Sequence, residues 1–178
     1  GAPISQLSNK TLRGALSYIP QDAQLSSGTI VENVALAQPQ PDLQRVRKCL
    51  TMASLDLDGN TLVGVRGSGL SGGQAQRVSI ARALYRDAPV YLLDEATSAL
   101  DSATEEQLQH TIDTVLQGKT VLLIAHRLST VRNAHKIVYM EQGRILETGT
   151  HEELLALGGG YARLYHASEK KSVPNLDR

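Results

Sequence analysis

The chain has 178 residues, of which 41% are hydrophobic, and its 18 lysines and arginines balance 18 aspartates and glutamates. This hydrophobic content is enough for one ordinary domain with a buried core, and it argues against intrinsic disorder. The balanced charge argues against the broad basic surface that nucleic-acid-binding and strongly basic membrane-surface proteins use.

Cys49 is the only cysteine, so neither a disulfide nor a cysteine-based metal cluster can form within the chain. We interpret it as a small buried hydrophobe rather than a reactive thiol, because no histidine is near it in sequence. The longest apolar runs, such as 121–125, are far shorter than the roughly 20 residues that span a bilayer. The chain starts at Gly1 without a methionine, which we interpret as the start of a processed or excised piece.

Short apolar runs alternate with helical patterns along the chain. The predicted strands are 16–19, 90–93 and 120–125, followed by a hairpin around Gln142-Gly143. Helices are predicted to begin near Thr29, Asp42 and Ser71, and further helices to cover 103–116 and 151–157. Two of the strands, 90–93 and 120–125, are continuously apolar, as in parallel strands that are covered on both faces. The pattern therefore predicts an α/β fold.

Polar side chains follow two of these strands. Asp94 and Glu95 come directly after run 90–93, and His126 comes directly after run 121–125. Because ligands collect at the carboxyl ends of parallel strands, we expect these side chains at one edge of the sheet. One carboxylate would hold a hard cation such as Mg²⁺, and the other would polarise a water. The alternative is that Asp94 caps the next helix and Glu95 is only solvated.

The segment Leu70–Gln74 precedes a predicted helix. Its glycines let backbone N–H groups approach an anion, Ser71 adds a hydroxyl, and the helix N-terminus adds partial positive charge. These features predict a phosphate site, with a plain capped helix as the alternative. Two other stretches do not qualify as phosphate-binding loops, since no convincing strand pattern precedes 67–72, and 118–120 leads from helix into strand. His151 lacks the second histidine of a zinc-protease motif and is interpreted as a helix-start residue.

Taken in order, these segments resemble the ATP-binding cassette of ABC transporters, particularly the exporter type. The matching motifs are the Q-loop Ile19-Pro20-Gln21, the signature Leu70-Ser71-Gly72-Gly73-Gln74, the Walker B segment 90–95, the D-loop Ser98-Ala99-Leu100-Asp101 and the H-loop Ala125-His126-Arg127. The resemblance covers residues 1 to about 166. It implies a P-loop NTPase-like core with a mostly parallel sheet and a helical signature subdomain at about 28–88. The segment after residue 166 is polar and contains Pro174, which predicts a flexible tail over 167–178.

The resemblance also implies roles for the motif residues. Glu95 and His126 would be catalytic, with Glu95 acting on the attacking water and His126 contacting the γ-phosphate of ATP. Asp94 would hold Mg²⁺ together with Gln21, which would also link the site to a membrane domain. Asp101 would support the interface with a second cassette. The residues that bind ATP held mainly by that second cassette would be Ser71, Gly72, Gly73 and Gln74.

The chain departs from the family pattern in three places. The Walker A loop and stacking aromatic that precede the Q-loop in the family are not found, so we expect a cassette whose N-terminal part is missing. Such a piece alone is expected to bind ATP poorly, to lack turnover and to leave a sheet edge or apolar surface uncovered. Val65 stands where exporters have Glu, and Ser26 or Ser27 stands where an aromatic is common. Both substitutions affect the surface expected to contact a membrane partner.

The function implied by the resemblance is an ABC-type ATPase that couples ATP hydrolysis to export. Its cofactors would be ATP and Mg²⁺, and it would lie at the cytoplasmic face of a membrane, the inner membrane in a bacterium. Its partners would be an identical or different second cassette and an exporter transmembrane domain, with no nucleic acid. The alternatives are a soluble ABC ATPase without a transport role and a non-catalytic remnant that only pairs with another cassette.

Overall fold

The structure is a computed structural model of the chain, and it describes residues 3–36, 38–96, 102–125 and 128–172. The chain divides into two compact units, Gly1–Ile124 and Ala125–Arg178. The predicted bounds of one partial cassette, 1–166, stay a prediction. None of the described helices combines the length and the apolarity that crossing a membrane requires.

The first unit alternates helices with strands. In chain order its elements are α1 (Asn9–Ala15), β1 (Leu16–Ile19), β2 (Gly28–Thr29), α2 (Ile30–Val34), α3 (Leu43–Met52), β3 (Leu62–Val63), α4 (Gly72–Arg86), β4 (Val90–Asp94), α5 (Ser102–Val115) and β5 (Thr120–Ile124). Strands β1, β4 and β5 form a parallel sheet in the order β1-β4-β5, with Tyr18 opposite Leu92 and Leu92 opposite Leu122. The predicted α/β fold with a parallel sheet is therefore confirmed.

Helix starts in this unit coincide with the predicted side-chain caps. Thr29, Asp42 and Ser71 each accept a hydrogen bond from the backbone N–H three residues further on. Thr29 and Ser71 also complete capping boxes, in which the side chains of Glu32 and Gln74 accept hydrogen bonds from the cap residues' backbone N–H groups. Three helices consequently begin where the sequence predicted.

Helix α4 joins the sheet to the smaller helices. It packs on α2, α3 and β1, and its Val78 and Ile80 belong to the same buried cluster as Ile19 and Leu93 of the sheet. Helices α2, α3 and α4 all lie within the region expected to be a helical subdomain, together with the antiparallel pair β2-β3. One side of the sheet is covered in this way.

Cys49 lies in the same buried cluster, on α3. Burial raises the pKa of its thiol, so the unreactive protonated form is favoured. The interpretation of Cys49 as a small buried hydrophobe is confirmed.

The opposite face of the sheet stays open in the described part of the chain. The side chains of Tyr18, Leu122 and Ile124 are 56%, 61% and 55% exposed. They alternate along their strands with residues of the covered face, as strand geometry requires. The prediction that these strands are covered on both faces is wrong, because a continuous apolar run does not show which of its faces finds a partner. The expected uncovered apolar surface is present.

The second unit contains β6 (Ile137–Glu141), β7 (Arg144–Gly149), α6 (His151–Leu157) and α7 (Gly160–Ser172). Strands β6 and β7 form the predicted hairpin, in which Gln142 and Gly143 have φ values of 50° and 74°. His151 is the first residue of α6 and is buried, with Nδ1 2.8 Å from the Tyr161 hydroxyl. Its interpretation as a helix-start residue is confirmed.

The predicted flexible tail over 167–178 needs a correction. Helix α7 continues through Ser172, so residues 167–172 are helical. Alanine, glutamate and lysine in this stretch are strong helix formers and extend a helix that has already begun. The rest of the predicted tail, 173–178, lies outside the described residues.

Candidate functional site

The carboxyl ends of β1 and β4 bring three of the predicted site residues together. The two strands pair in parallel up to Ile19 and Leu93, so the residues that follow emerge at the same edge. There the Gln21 side-chain Nε2 donates a hydrogen bond of 2.7 Å to Glu95 Oε2. The Tyr18 hydroxyl donates a hydrogen bond of 3.2 Å to Asp94 Oδ2. Each carboxylate therefore has its own partner from β1 or the loop that follows it.

The two adjacent carboxylates are separated by a change in backbone conformation. Asp94 ends β4, whereas Glu95 has φ 47°, in the left-handed region. Its N–H still donates to the Ile124 carbonyl oxygen at 2.9 Å, which ties this bend to β5. A left-handed backbone at a residue with a side chain costs of order 1–3 kcal/mol, and such strain clusters at functional sites.

Asp94 does not cap the next helix, which was the alternative to a binding role. Glu95, the residue after it, has φ 47° and does not begin a helix, and α5 covers Ser102–Val115. The one hydrogen bond that the structure gives the Asp94 carboxylate, within the described residues, is the one from Tyr18. The side chain is thus placed by β1 rather than by a helix.

The oxygen atoms at this edge fit a hard cation. Asp94 accepts the Tyr18 hydrogen bond at Oδ2, and Gln21 donates to Glu95 from its side-chain nitrogen. The other oxygen atoms, Asp94 Oδ1 and Gln21 Oε1, make no hydrogen bond with the described residues. Mg²⁺ takes oxygen ligands and usually binds one or two carboxylates plus water and substrate phosphates. In the described part of the chain, no group of three His, Cys, Asp or Glu side chains could hold a metal ion. The donor set suits an ion completed by water and phosphate.

The segment 71–74 forms the N-terminus of the 15-residue helix α4. Ser71 Oγ accepts the Gln74 N–H at 3.2 Å, and Gln74 Oε1 accepts the Ser71 N–H at 2.9 Å. The Ser71 hydroxyl proton remains available to a ligand. A Cβ added to Gly72 would meet nothing within 4 Å, so this end of the helix is open to close approach. The two interpretations of this segment, a capped helix and an anion site, are therefore compatible. Gly73 is the next residue in the first turn of α4.

Two residues that the sequence analysis missed hold the loop after β1 against α4. The Gln76 side chain, 1% exposed, donates to the Pro20 carbonyl oxygen at 3.0 Å. Arg82 donates from Nε to the Asn33 carbonyl oxygen at 2.7 Å and from a terminal nitrogen to the Gln24 carbonyl oxygen at 2.9 Å. Burial lowers the pKa of Arg82. A signal existed for Gln76, because it lies four residues before the buried Ile80 on the same helix face.

A cavity of about 630 Å³ lies beside this loop. It is lined by Ala23, Gln24, Leu25, Ser26, Leu36, Arg66 and Arg82. Val65, next to Arg66, is exposed, as are Ser26 and Ser27. The two substitutions relative to the family pattern, at Val65 and at Ser26 or Ser27, therefore lie on the surface of the first unit, at or next to residues that line the cavity.

Two predicted site residues cannot be placed, and the lysine of the P-loop-like stretch 118–120 has a structural role. His126 and Asp101 lie outside the described residues. Lys119, in the stretch that imitates the end of a P-loop, pairs with Asp87 at 3.0 Å in the connection from α5 to β5. That lysine is part of a structural ion pair, in agreement with its rejection as a phosphate ligand.

Comparison with known proteins decides the family. The family model described as ABC transporter matches residues 1–98, which is more than half of the chain. The chain belongs to the ABC transporter family. An ATP-dependent lipid A-core flippase from Legionella pneumophila (strain Lens) is 44% identical over 176 residues, covering 95% of this chain and 30% of that protein. One from Burkholderia orbicola (strain AU 1054) is 47% identical over 172 residues, covering 93% and 29%.

Solved structures agree with this membership of the ABC transporter family. A bacterial Atm1-family ABC exporter with ATP bound matches with a TM-score of 0.88 and 38% identity, over 93% of this chain and 30% of that chain. The predicted ABC ATPase fold is thereby confirmed for the covered part. This ABC transporter chain spans about 30% of the length of the curated relatives that it matches.

Proposed function

We propose that this chain is the larger part of the ATP-binding domain of an ABC exporter, which couples ATP hydrolysis to transport across a membrane. The observation that carries the proposal is the 2.7 Å hydrogen bond from Gln21 to Glu95, beside Asp94 at the sheet edge. This bond fixes the Glu95 carboxylate next to the oxygen atoms of Asp94 and Gln21, which suit Mg²⁺. The relatives named as flippases and exporters favour transport over the soluble ABC ATPase.

In the proposed mechanism, each residue at the sheet edge has one task. Glu95 orients the attacking water and accepts its proton, and the bond from Gln21 holds the carboxylate in place for this. Asp94 and Gln21 would hold Mg²⁺, which would neutralise the developing phosphate charge when bound. His126 contacts the γ-phosphate. Phosphoryl transfer depends mainly on such positioning and charge stabilisation.

The N-terminus of α4 serves a different nucleotide in this proposal. Ser71, Gly72, Gly73 and Gln74 bind the γ-phosphate of an ATP molecule held mainly by a second cassette, and Asp101 supports the contact between cassettes. Backbone N–H groups at a helix N-terminus and a free hydroxyl proton suit a phosphate. Two cassettes would then form two composite sites. The remnant alternative is disfavoured because Asp94, Glu95 and the signature residues are all present.

The proposed partner on the other side is an exporter transmembrane domain, at the cytoplasmic face of a membrane, the inner membrane in a bacterium. Gln21 and the loop after it, which Gln76 and Arg82 hold to α4, would connect that partner to the site. The 178-residue chain by itself is proposed to bind ATP weakly and not to turn it over, because it carries no P-loop.

The test is ATP hydrolysis by the full-length protein with the substitution Glu95→Gln. The amide can still accept the Gln21 hydrogen bond but cannot take a proton, so turnover should fall by roughly 10²- to 10⁴-fold while ATP binding persists. Glu106→Gln is the matched control, since the exposed Glu106 on α5 makes no hydrogen bond with the described residues. Turnover above a tenth of wild type in Glu95→Gln would refute the assigned role.

A further inference from the structure

Tyr18 is a β1 residue that carries a polar group to the site edge without being one of the family motifs. Its hydroxyl donates to Asp94 Oδ2 at 3.2 Å. The register places Tyr18 opposite Leu92, two residues before Asp94 on the same face of β4, so its ring reaches diagonally to the carboxylate. No hydrogen bond other than this one is recorded for the Tyr18 hydroxyl within the described residues.

The hydroxyl is not needed for packing. Tyr18 is 56% exposed on the open face of the sheet, where its partner across the strand pair is Leu92 of β4. An exposed hydrogen bond adds little net stability, because water replaces it at small cost. The Tyr18 hydroxyl therefore orients the Asp94 side chain and contributes little to the stability of the fold.

The bond uses only one of the two carboxylate oxygens. Asp94 Oδ2 accepts from the Tyr18 hydroxyl, and Oδ1 makes no hydrogen bond with the described residues. The geometry thus fixes one carboxylate oxygen and leaves Oδ1 free.

We propose that Tyr18 is a positioning residue for the cation: its hydroxyl holds Asp94 Oδ2 so that Oδ1 faces the Mg²⁺–nucleotide. The inference rests on the proposed function. With Gln21 holding Glu95, β1 and its following loop then orient both carboxylates of the site, one for the ion and one for the water. Hydrogen bonds to metal-ligating carboxylates typically affect metal affinity by 10- to 100-fold.

The experiment measures Mn²⁺ binding to the full-length protein, loaded with a non-hydrolysable ATP analogue, from the electron paramagnetic resonance signal of free Mn²⁺. Tyr18→Phe should raise the Mn²⁺ concentration for half-saturation about tenfold. Affinity for the analogue without metal should be unchanged. Tyr139→Phe is the matched control. It also removes a tyrosine hydroxyl, here on β6, and that hydroxyl makes no hydrogen bond with the described residues. It should match wild type.

A double-substitution cycle separates positioning from a general structural effect. On the Asp94→Asn background, Tyr18→Phe should change the half-saturating Mn²⁺ concentration less than twofold, because the carboxylate that it positions is gone. A Tyr18→Phe value within twofold of wild type, or an equal effect on both backgrounds, would overturn the inference alone. A full-length wild type that binds no Mn²⁺ with the analogue would instead overturn the proposed function and this inference with it.

Discussion

Glu95 shows at the scale of one residue how the backbone separates two neighbouring carboxylates. Asp94 is extended and belongs to β4, whereas Glu95 turns into the left-handed region with φ 47°. Their side chains consequently have different partners, Tyr18 and Gln21. Such a backbone costs of order 1–3 kcal/mol, and strain of this kind clusters at functional sites, which agrees with the chemical task proposed for Glu95.

Gly72 provides a prediction that separates function from stability. A Cβ there meets no atom of this chain, so Gly72→Ala should stabilise α4 by about 0.5 kcal/mol through the unfolded state. The same methyl group would occupy the space proposed for the γ-phosphate, so ATP turnover of the full-length protein should fall at least tenfold. Denaturant unfolding and a phosphate-release assay measure the two effects.

Gly14→Ala is the matched control, because Gly14 lies in α1 and an added Cβ there also meets nothing within 4 Å. It should raise stability similarly and leave turnover unchanged. If Gly72→Ala keeps full turnover, the first turn of α4 does not approach a nucleotide.

At the scale of elements, capping boxes decide where several helices begin, and the box at α2 also makes stability depend on pH. The backbone N–H and hydroxyl of Thr29 donate to the Glu32 carboxylate and lower the pKa of Glu32 from its ordinary value of 4.5. A carboxyl group with a lowered folded pKa adds stability above its unfolded pKa. That stability is lost as pH falls through the folded pKa.

Glu32→Gln should therefore reduce the loss of unfolding free energy between about pH 6 and pH 3, because an amide does not titrate. The amide oxygen can keep the bond from the Thr29 N–H. Denaturant unfolding at several pH values measures the change, and Glu106→Gln serves as a control that should keep the wild-type pH dependence. An unchanged loss in Glu32→Gln would show that this box does not couple α2 to pH.

Local patterns predicted most of the helices and strands, and the capping residues show why. Ser71 and Thr29 act on residues only three positions away, so their caps are readable from the sequence. The bonds from Tyr18 to Asp94 and from Arg82 to the Gln24 carbonyl join residues 76 and 58 positions apart. Such contacts depend on strand register and helix packing, which a single sequence does not encode locally.

The end of α7 and the open sheet face were missed for the same kind of reason. A polar segment with Pro174 predicted a frayed tail, yet a helix that has begun at Gly160 extends through Ser172. An apolar run such as β5 shows that its side chains favour burial, but Leu122 remains 61% exposed because burial needs a partner.

At the scale of the whole chain, the open face predicts self-association. Within the described residues, β5 is an outer strand of the three-stranded sheet, and its Leu122 and Ile124 are exposed apolar side chains. The 178-residue chain should sediment as species larger than a monomer. Replacing both residues by lysine should shift it to the monomer, because lysines at an edge disfavour pairing.

Leu43→Lys is the control, since Leu43 is exposed alone on α3. It should leave the association unchanged in sedimentation velocity. A monomeric wild-type chain at all concentrations, or an equal effect of Leu43→Lys, would show that the open face does not drive association.

We propose that Glu95 and the first turn of α4 serve different nucleotides in a pair of cassettes. The most direct measurement is ATP hydrolysis by dimers of the full-length protein that carry Glu95→Gln and Gly72→Asp. When the two substitutions are in different copies, they fall in one composite site and the other stays intact, so hydrolysis should persist. When both are in the same copy, each composite site has one defect and hydrolysis should be lost. Equal hydrolysis by the two dimers would show that Glu95 and the first turn of α4 in one copy do not serve different nucleotides.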